Sequence, residues 1–238
     1  MEIGIKLKKY LVTIAILCGL LSLSSCSDGG GDNAPAPAKF SNASFDGVWL
    51  LGAQTQGEND FYLVSDGNGH IIDYGAFHVA QSTYSVSGDG TLTVTLETTK
   101  EPPITGVGKL TSSSDGTISF FNDTKVFDLN KVSDIAALQG SWSGTLTEGA
   151  APNTAYNVTF SVNASGEITS LSGFSSPVSG KIFSESGKVA CFIRTNEQSS
   201  YNQIQLNGDL QNNGMTINGV YEIDVGVPFD GTFTLTKF

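Results

Sequence analysis

Gly47-Val48-Trp49 and Gly140-Ser141-Trp142 contain the only two tryptophans of a 238-residue chain, and the second stretch restates the first at an offset of 93 residues. Two more correspondences follow downstream. Gly69 before Ile71 parallels Gly166 before Ile168, and Asp115-Gly116-Thr117 parallels Asn213-Gly214-Met215, at offsets of 97 and 98. Short loop insertions produce such a slow drift, so residues 45–132 and 138–238 read as two copies of one unit.

Within each copy the apolar residues alternate. Leu92, Val94 and Leu96 are interleaved with threonines, Val158, Phe160 and Val162 with Asn157, Thr159 and Ser161, and Phe229, Phe233 and Leu235 with Asp230, Thr232 and Thr234. A period of two with one polar face marks antiparallel sheet wetted on one side. Turn signals such as Asp66-Gly67-Asn68-Gly69, Gly88-Asp89-Gly90, Asn122-Asp123 and Asn212-Asn213-Gly214 separate the runs. They divide each copy into about eight short strands, enough to close an up-and-down barrel and remove its edges. Helical periodicity is absent from the body, apart from a capped single turn at Ser133 to Leu138. The expected fold is all-β, two tandem small antiparallel up-and-down barrels. A pair of immunoglobulin-like β-sandwiches is the alternative, although no Cys…Trp…Cys spacing supports it.

Gly-x-Trp on the first strand after a helical turn resembles the opening of lipocalin-like (calycin) barrels. The resemblance implies a structural role at a barrel end for Gly47, Trp49, Gly140 and Trp142, with the glycine allowing close backbone approach and the indole plugging the end. The basic residue that such barrels set against the tryptophan is not evident in the sequence; Arg194, the only arginine, lies mid-repeat.

The N-terminus carries an address. Lys6, Lys8 and Lys9 precede an apolar stretch from Tyr10 to Leu23, and small residues then lead to Cys26. This is a secretory signal pattern over residues 1–25, too short for the roughly 20 apolar residues of a spanning helix. Leu23-Ser24-Ser25-Cys26 resembles the lipobox of bacterial lipoproteins. It implies cleavage between Ser25 and Cys26, a diacylglycerol thioether on Cys26, and usually palmitate or another acyl chain on the new amino group. Ser27 after that cysteine resembles the outer-membrane sorting pattern of enterobacterial lipoproteins, facing the periplasm or the cell surface. Residues 26–44, rich in Gly, Pro and Ala, then read as a flexible tether reaching on the order of 20–25 Å.

Composition excludes some partners. Only 15% of residues are charged and the net charge is −11; removing residues 1–25, with three lysines and one glutamate, makes it −13. An acidic body without basic clusters repels phosphate backbones, so no nucleic-acid partner is expected. Lipid on Cys26 is the only expected membrane contact. Phe238 invites comparison with outer-membrane barrels, but it is out of phase with Phe229, Phe233 and Leu235, and the Thr-rich face is unsuited to lipid. Cys18 is lost with the leader, and Cys191, between Ala190 and Phe192, reads as a small core residue.

Sites for chemistry are few. His70 and His78 share strand parity but lie about 26 Å apart on a continuous strand, too far to share a metal. Asp66 and Asn68 form the weak calcium candidate; aligned to an EF-hand loop, Val64 and Gly75 occupy positions that need carboxylates. Gly140-Ser141-Trp142-Ser143-Gly144 places Trp where a nucleophile elbow needs Ser. No metal, cofactor or catalytic residue is expected. Three functions stay open: a non-enzymatic structural or binding role at the cell envelope, a lipocalin-like carrier of a small apolar ligand, and, last, an extracytoplasmic hydrolase using scattered carboxylates.

Overall fold

The computed structural model describes residues 39–54, 59–75, 82–97, 102–121, 124–149, 154–172, 179–194, 203–224 and 229–238. The leader, Ser25, Cys26, His78 and Asn122-Asp123 lie outside the described residues.

The first copy opens with a 3-10 turn at Asn42–Phe45 and continues through eight strands: β1 (Gly47–Ala53), β2 (Phe61–Ser65), β3 (Ile71–Tyr74), β4 (Thr83–Val86), β5 (Thr91–Leu96), β6 (Ile104–Leu110), β7 (Asp115–Phe120) and β8 (Lys125–Lys131). The second repeats the plan as β9 (Gly140–Glu148), β10 (Ala155–Val162), β11 (Ile168–Ser172), β12 (Ser179–Glu185), β13 (Lys188–Arg194), β14 (Gln203–Gln211), β15 (Thr216–Asp224) and β16 (Phe229–Lys237). The strand orders are β3-β2-β1-β8-β7-β6-β5-β4 and β11-β10-β9-β16-β15-β14-β13-β12, antiparallel throughout. First strand pairs with last in both. A bridge between His70 and Thr83 joins β3 to β4, and one between Glu167 and Lys181 joins β11 to β12. The result is two nearly closed eight-stranded up-and-down barrels in tandem. A meander of this order has no Greek-key connection, so the sandwich alternative fails on topology.

The duplication reaches fine detail. Register slips by one residue between Val64 and Ser65 opposite β3, and again between Ser161 and Val162 opposite β11. A bulge bends its strand and sharpens the twist, which turns the sheet toward closure at the same corner of each barrel.

Alternation sets the cores. Leu92, Val94, Leu96, Val158, Phe160, Val162, Phe233 and Leu235 are all buried. They join Trp49, Leu51, Leu63, Ile118 and Leu129 in one barrel and Trp142, Leu146, Ile204, Leu206 and Ile217 in the other, each set forming one continuous apolar cluster. Both barrels are filled by their own side chains, as small eight-stranded barrels allow.

Two apolar runs break the alternation. Val48 to Leu51 in β1 and Val189 to Ile193 in β13 are buried on both faces of their strands. Their outward members Val48, Leu50, Ala190 and Phe192 meet Tyr62, Val132 and Phe183 in a third cluster, the seam between the barrels. Tyr62 presents its ring edge to Phe183 at 4.9 Å and to Phe192 at 5.8 Å between centroids. Gly75 belongs to this seam, because a Cβ there would sit 2.1 Å from the Phe192 ring.

The contact is head-to-tail: β1 and β2 of one copy pack on β12 and β13 of the other. Its equivalents elsewhere are polar. Ser141 and Ser143 stand where the first copy has Val48 and Leu50, and Thr93 and Thr95 stand where the second has Ala190 and Phe192. Head-to-tail contacts propagate into chains only when both surfaces recur.

Candidate functional site

The Gly-x-Trp positions form matching barrel ends. Trp49 and Trp142 are both 0% exposed. The indole N–H of Trp49 donates to the Phe45 carbonyl at 3.1 Å, and that of Trp142 to the Leu138 carbonyl at 2.8 Å. Each carbonyl comes from the short turn just before the strand, which ties the turn across the barrel mouth. Gly47 and Gly140 have φ of +104° and +134°, and a Cβ would lie 3.2 and 2.7 Å from the Cε of Lys131 and Lys237. Only glycine meets both demands without strain.

Those lysines correct the reading that a basic partner is missing. Lys131 ends β8 and Lys237 ends β16, and their Nζ atoms lie 5.9 and 5.7 Å from the ring centroids of Trp49 and Trp142. The cation arrives from the last strand because that strand pairs with the first, aligning Trp49 with Lys131 and Trp142 with Lys237. Phe127-x-Leu129-x-Lys131 and Phe233-x-Leu235-x-Lys237 were the signal. Full burial of both rings makes these ends structural.

The Asp66 turn spends its carboxylate locally. One oxygen accepts the backbone N–H groups of Asn68 and His70 at 2.7 and 3.0 Å, and the other meets His70 Nδ1 at 2.8 Å. These bonds, led by the His70 N–H, hold the carboxyl down at about 2. Asn68 turns its side-chain amide back onto the Asp66 carbonyl. In the second copy Asn163 receives the N–H groups of Ser165 and Glu167 at 2.9 Å and donates to the Glu167 carboxylate at 2.8 Å. The chemistry differs while the turn persists. Among the described residues no three His, Cys, Asp or Glu side chains are grouped to hold a metal. Ser141 meets Ser161 Oγ at 3.3 Å on strand β9, in a sheet rather than on an elbow.

Cys191 lies inside the second barrel, fully buried, and burial pushes its thiol well above the ordinary 9.0. Tyr74, also buried, is pushed up to about 12, first by burial and against the opposing charge of Arg194. For both groups the folded state favours the protonated form. That stability is complete below the unfolded value and is lost above it, at about 1.4 kcal/mol per pH unit and group. Urea midpoints are therefore expected to fall as pH rises from 9 toward 12, with Cys191→Ala falling less between 9 and 10. Equal slopes for wild type and variant would contradict this.

Polar chemistry concentrates beside the seam. A groove of about 260 Å³ opens between the barrels, walled by Tyr62 and Asp73 from the first and by Lys181, Phe192 and Arg194 from the second. Glu167, Thr169 and Ser179 form its rim, and Gly180 leaves the wall bare. Lys181 bonds Asp73 at 2.7 Å, with the two side chains only 28% and 17% exposed. Arg194 lies 3.9 Å from the same carboxylate and donates to the Tyr74 carbonyl at 3.5 Å. Both distances exceed the 2.7–2.9 Å of a tight charged hydrogen bond. Tyr62, only 2% exposed, stands on the same wall. Burial first, then the Asp73 charge, pushes its phenol far above the usual range, so it stays a donor at neutral pH.

The sequence left this groove unseen. Its residues come from β2, β3, β11, β12 and β13, and only the barrel–barrel contact brings them together.

No family model and no curated protein matches the chain. Among solved structures it is similar to a protein of unknown function from the DUF3598 family of Nostoc punctiforme, at 12% identity, over 82% of this chain and 97% of that one, with a TM-score of 0.32.

Proposed function

We propose that this protein is a lipid-anchored lipoprotein of the bacterial cell envelope, at the outer membrane, whose tandem barrels form a non-enzymatic binding module. The observation that carries the binding reading is the placement of polar groups. The interiors are packed with apolar side chains, whereas the groove between the barrels gathers Tyr62, the Lys181–Asp73 ion pair and the only arginine. A carrier of apolar ligands would need a hollow interior, and the packed clusters favour the groove over the barrel lumen. For a hydrolase, carboxylates must converge on a cleft; Asp66, Asp89 and Asp115 instead hold turns.

Anchoring rests on the Leu23-Ser24-Ser25-Cys26 pattern, and the barrels fit a soluble body on a tether. Leucines and valines point inward and threonines outward, the reverse of a spanning barrel. Two or more acyl chains at about 0.8 kcal/mol per buried methylene hold a protein firmly to a bilayer. Cys26→Ala is expected to move the protein from the membrane pellet to the soluble envelope fraction; a variant that still pellets would refute the anchor.

The groove is tested separately. Native mass spectrometry of the full chain, extracted from its own membranes, should show a small-molecule adduct. Thr169→Trp, which fills the mouth from the exposed rim, should remove it. An adduct that survives the tryptophan would place binding elsewhere.

A further inference from the structure

We propose that Met215 is an oxidant-sensitive modification site: a neutral peroxide converts its thioether to the sulfoxide, and the new oxygen draws Lys237 off the Trp142 ring at the mouth of the second barrel. The site is independent of the groove.

Exposure singles out this sulfur. Among the described residues the sulfurs are those of Cys191 and Met215; Met1, Cys18 and Cys26 lie in the N-terminal segment. Cys191 is 0% exposed inside the second barrel, and burial holds its thiol protonated. Oxidants attack the thiolate, so this cysteine is shielded twice. Met215 is 45% exposed, between β14 and β15, and a thioether needs no ionisation to react. Both indoles are fully buried. The net negative charge of the chain disfavours anionic oxidants and leaves neutral peroxides unaffected.

The register sets what the oxidised side chain meets. Lys237 on β16 donates its backbone N–H to the Met215 carbonyl at 2.9 Å and pairs with Trp142 of β9 on its other side. The three residues therefore stand in a row across neighbouring strands, which lie about 4.8 Å apart. Next along β15 and β16 on the same face, Ile217 and Leu235 point into the barrel, so Met215 and Lys237 continue that inward row at its rim. A thioether is a weak acceptor, whereas a sulfoxide is polar and accepts well. The Lys237 ammonium lies 5.7 Å from the Trp142 centroid, close to the outer limit of about 6 Å for a cation–π contact. A charge-assisted hydrogen bond to the sulfoxide oxygen is the stronger contact, and the ammonium moves toward it.

The first barrel is built differently. Lys131 donates its backbone N–H to the Ser114 carbonyl at 2.8 Å, which makes Ser114 the counterpart of Met215. Its hydroxyl bonds the Asp115 carboxylate at 2.7 Å and has no sulfur to oxidise. Oxidant thus addresses the second mouth and spares the first.

The step is a two-electron oxygen transfer. The Met215 sulfur attacks the peroxide and supplies the electron pair, and the O–O bond breaks. One oxygen stays on sulfur, and the other leaves as water with both peroxide protons.

The test exposes the full-length protein in detergent to hydrogen peroxide, locates added oxygen by peptide mass spectrometry and follows tryptophan emission. Met215 is expected to gain one oxygen ahead of Cys191 and of both tryptophans, and methionine sulfoxide reductases should remove it. A protonated amine quenches a neighbouring indole, so emission should rise as Lys237 leaves the ring and fall again on reduction. Met215→Leu, which keeps an apolar chain at the exposed rim, should show no rise. Lys237→Gln should start brighter and gain nothing further, while its Met215 still takes up oxygen. The oxidised and re-reduced wild type alone remains decisive if a variant folds poorly. Earlier oxidation of Cys191 or of either tryptophan would overturn the proposal. So would a Met215 sulfoxide that leaves emission unchanged, or an equal rise in Lys237→Gln.

Discussion

Trp142→Ala is expected to lower the stability of the second barrel by about 3–5 kcal/mol, and Trp49→Ala that of the first by a similar amount. Each indole is fully buried, and each fills the mouth of a barrel that must otherwise collapse around a cavity. The neighbours set the difference between the two. Phe45 stacks on Trp49 with centroids 4.7 Å apart, and Tyr84 meets Phe45 edge-on at 5.2 Å, so removal of Trp49 strands an aromatic group. Leu138 stands in the place of Phe45 in the second copy and can relax into the space more freely. Trp49→Ala should therefore be the more damaging of the pair. Trp142→Phe separates packing from hydrogen bonding. It keeps most of the apolar surface and leaves the Leu138 carbonyl without its donor, a loss of about 1–3 kcal/mol. Lys237→Met removes the cation above the ring and costs less, about 0.5–1 kcal/mol for a partly exposed site. Urea unfolding followed by circular dichroism gives the four values. A Trp142→Ala variant within 1 kcal/mol of wild type would show that the indole does not close the barrel.

Much of the fold was legible because its signal is local. Strict alternation in Leu92 to Leu96 and Val158 to Val162 fixes which face is wet, and the repeated Gly-x-Trp fixes where each copy begins. Closure follows, since eight short strands with one apolar face have few other ways to bury it. Lys131 and Lys237 show where motif reading stops: the repeated Phe-x-Leu-x-Lys lies on the last strand of each copy, far along the chain from the tryptophan it covers. The seam left a trace too. Val48 to Leu51 and Val189 to Ile193 lack a polar face, and a strand apolar on both sides must be covered on both sides. What no local pattern contains is which covered face meets which. Arg194 stood out as the only arginine but gained a role only when β13 was set against β2 and β3, more than 100 residues earlier in the chain.

The seam also makes the strongest claim about cooperativity. Phe183→Asp is expected to break one unfolding transition into two. Phe183 points away from its own barrel, is 2% exposed, and packs on the edge of Tyr62 from the other barrel. Its loss therefore spares the interior of the second barrel and strikes the contact between the two. Truncation alone removes about 3–5 kcal/mol. A carboxylate in its place adds an unpaired buried charge, the costliest kind of substitution at an apolar contact. The polar rim is too weak to compensate. Ser133 bonds Glu185 at 2.6 and 2.9 Å on the exposed rim, the half-buried Gln205 reaches the Asp60 carbonyl at 2.9 Å, and Lys181 bonds Asp73 at 2.7 Å, but hydrogen bonds and ion pairs of this kind add about 1 kcal/mol each, well short of the apolar loss. Because the chain has one tryptophan per barrel, Trp49→Phe and Trp142→Phe leave a single fluorophore in the second and first barrel respectively. With the seam intact, each single-tryptophan protein should give fluorescence and circular dichroism transitions that coincide. With Phe183→Asp added, the dichroism should become biphasic, one step following the remaining tryptophan and the other its silent neighbour. Biphasic unfolding with the seam intact would mean that the barrels are independent, and a single undisturbed step in Phe183→Asp would mean that something other than this apolar contact couples them.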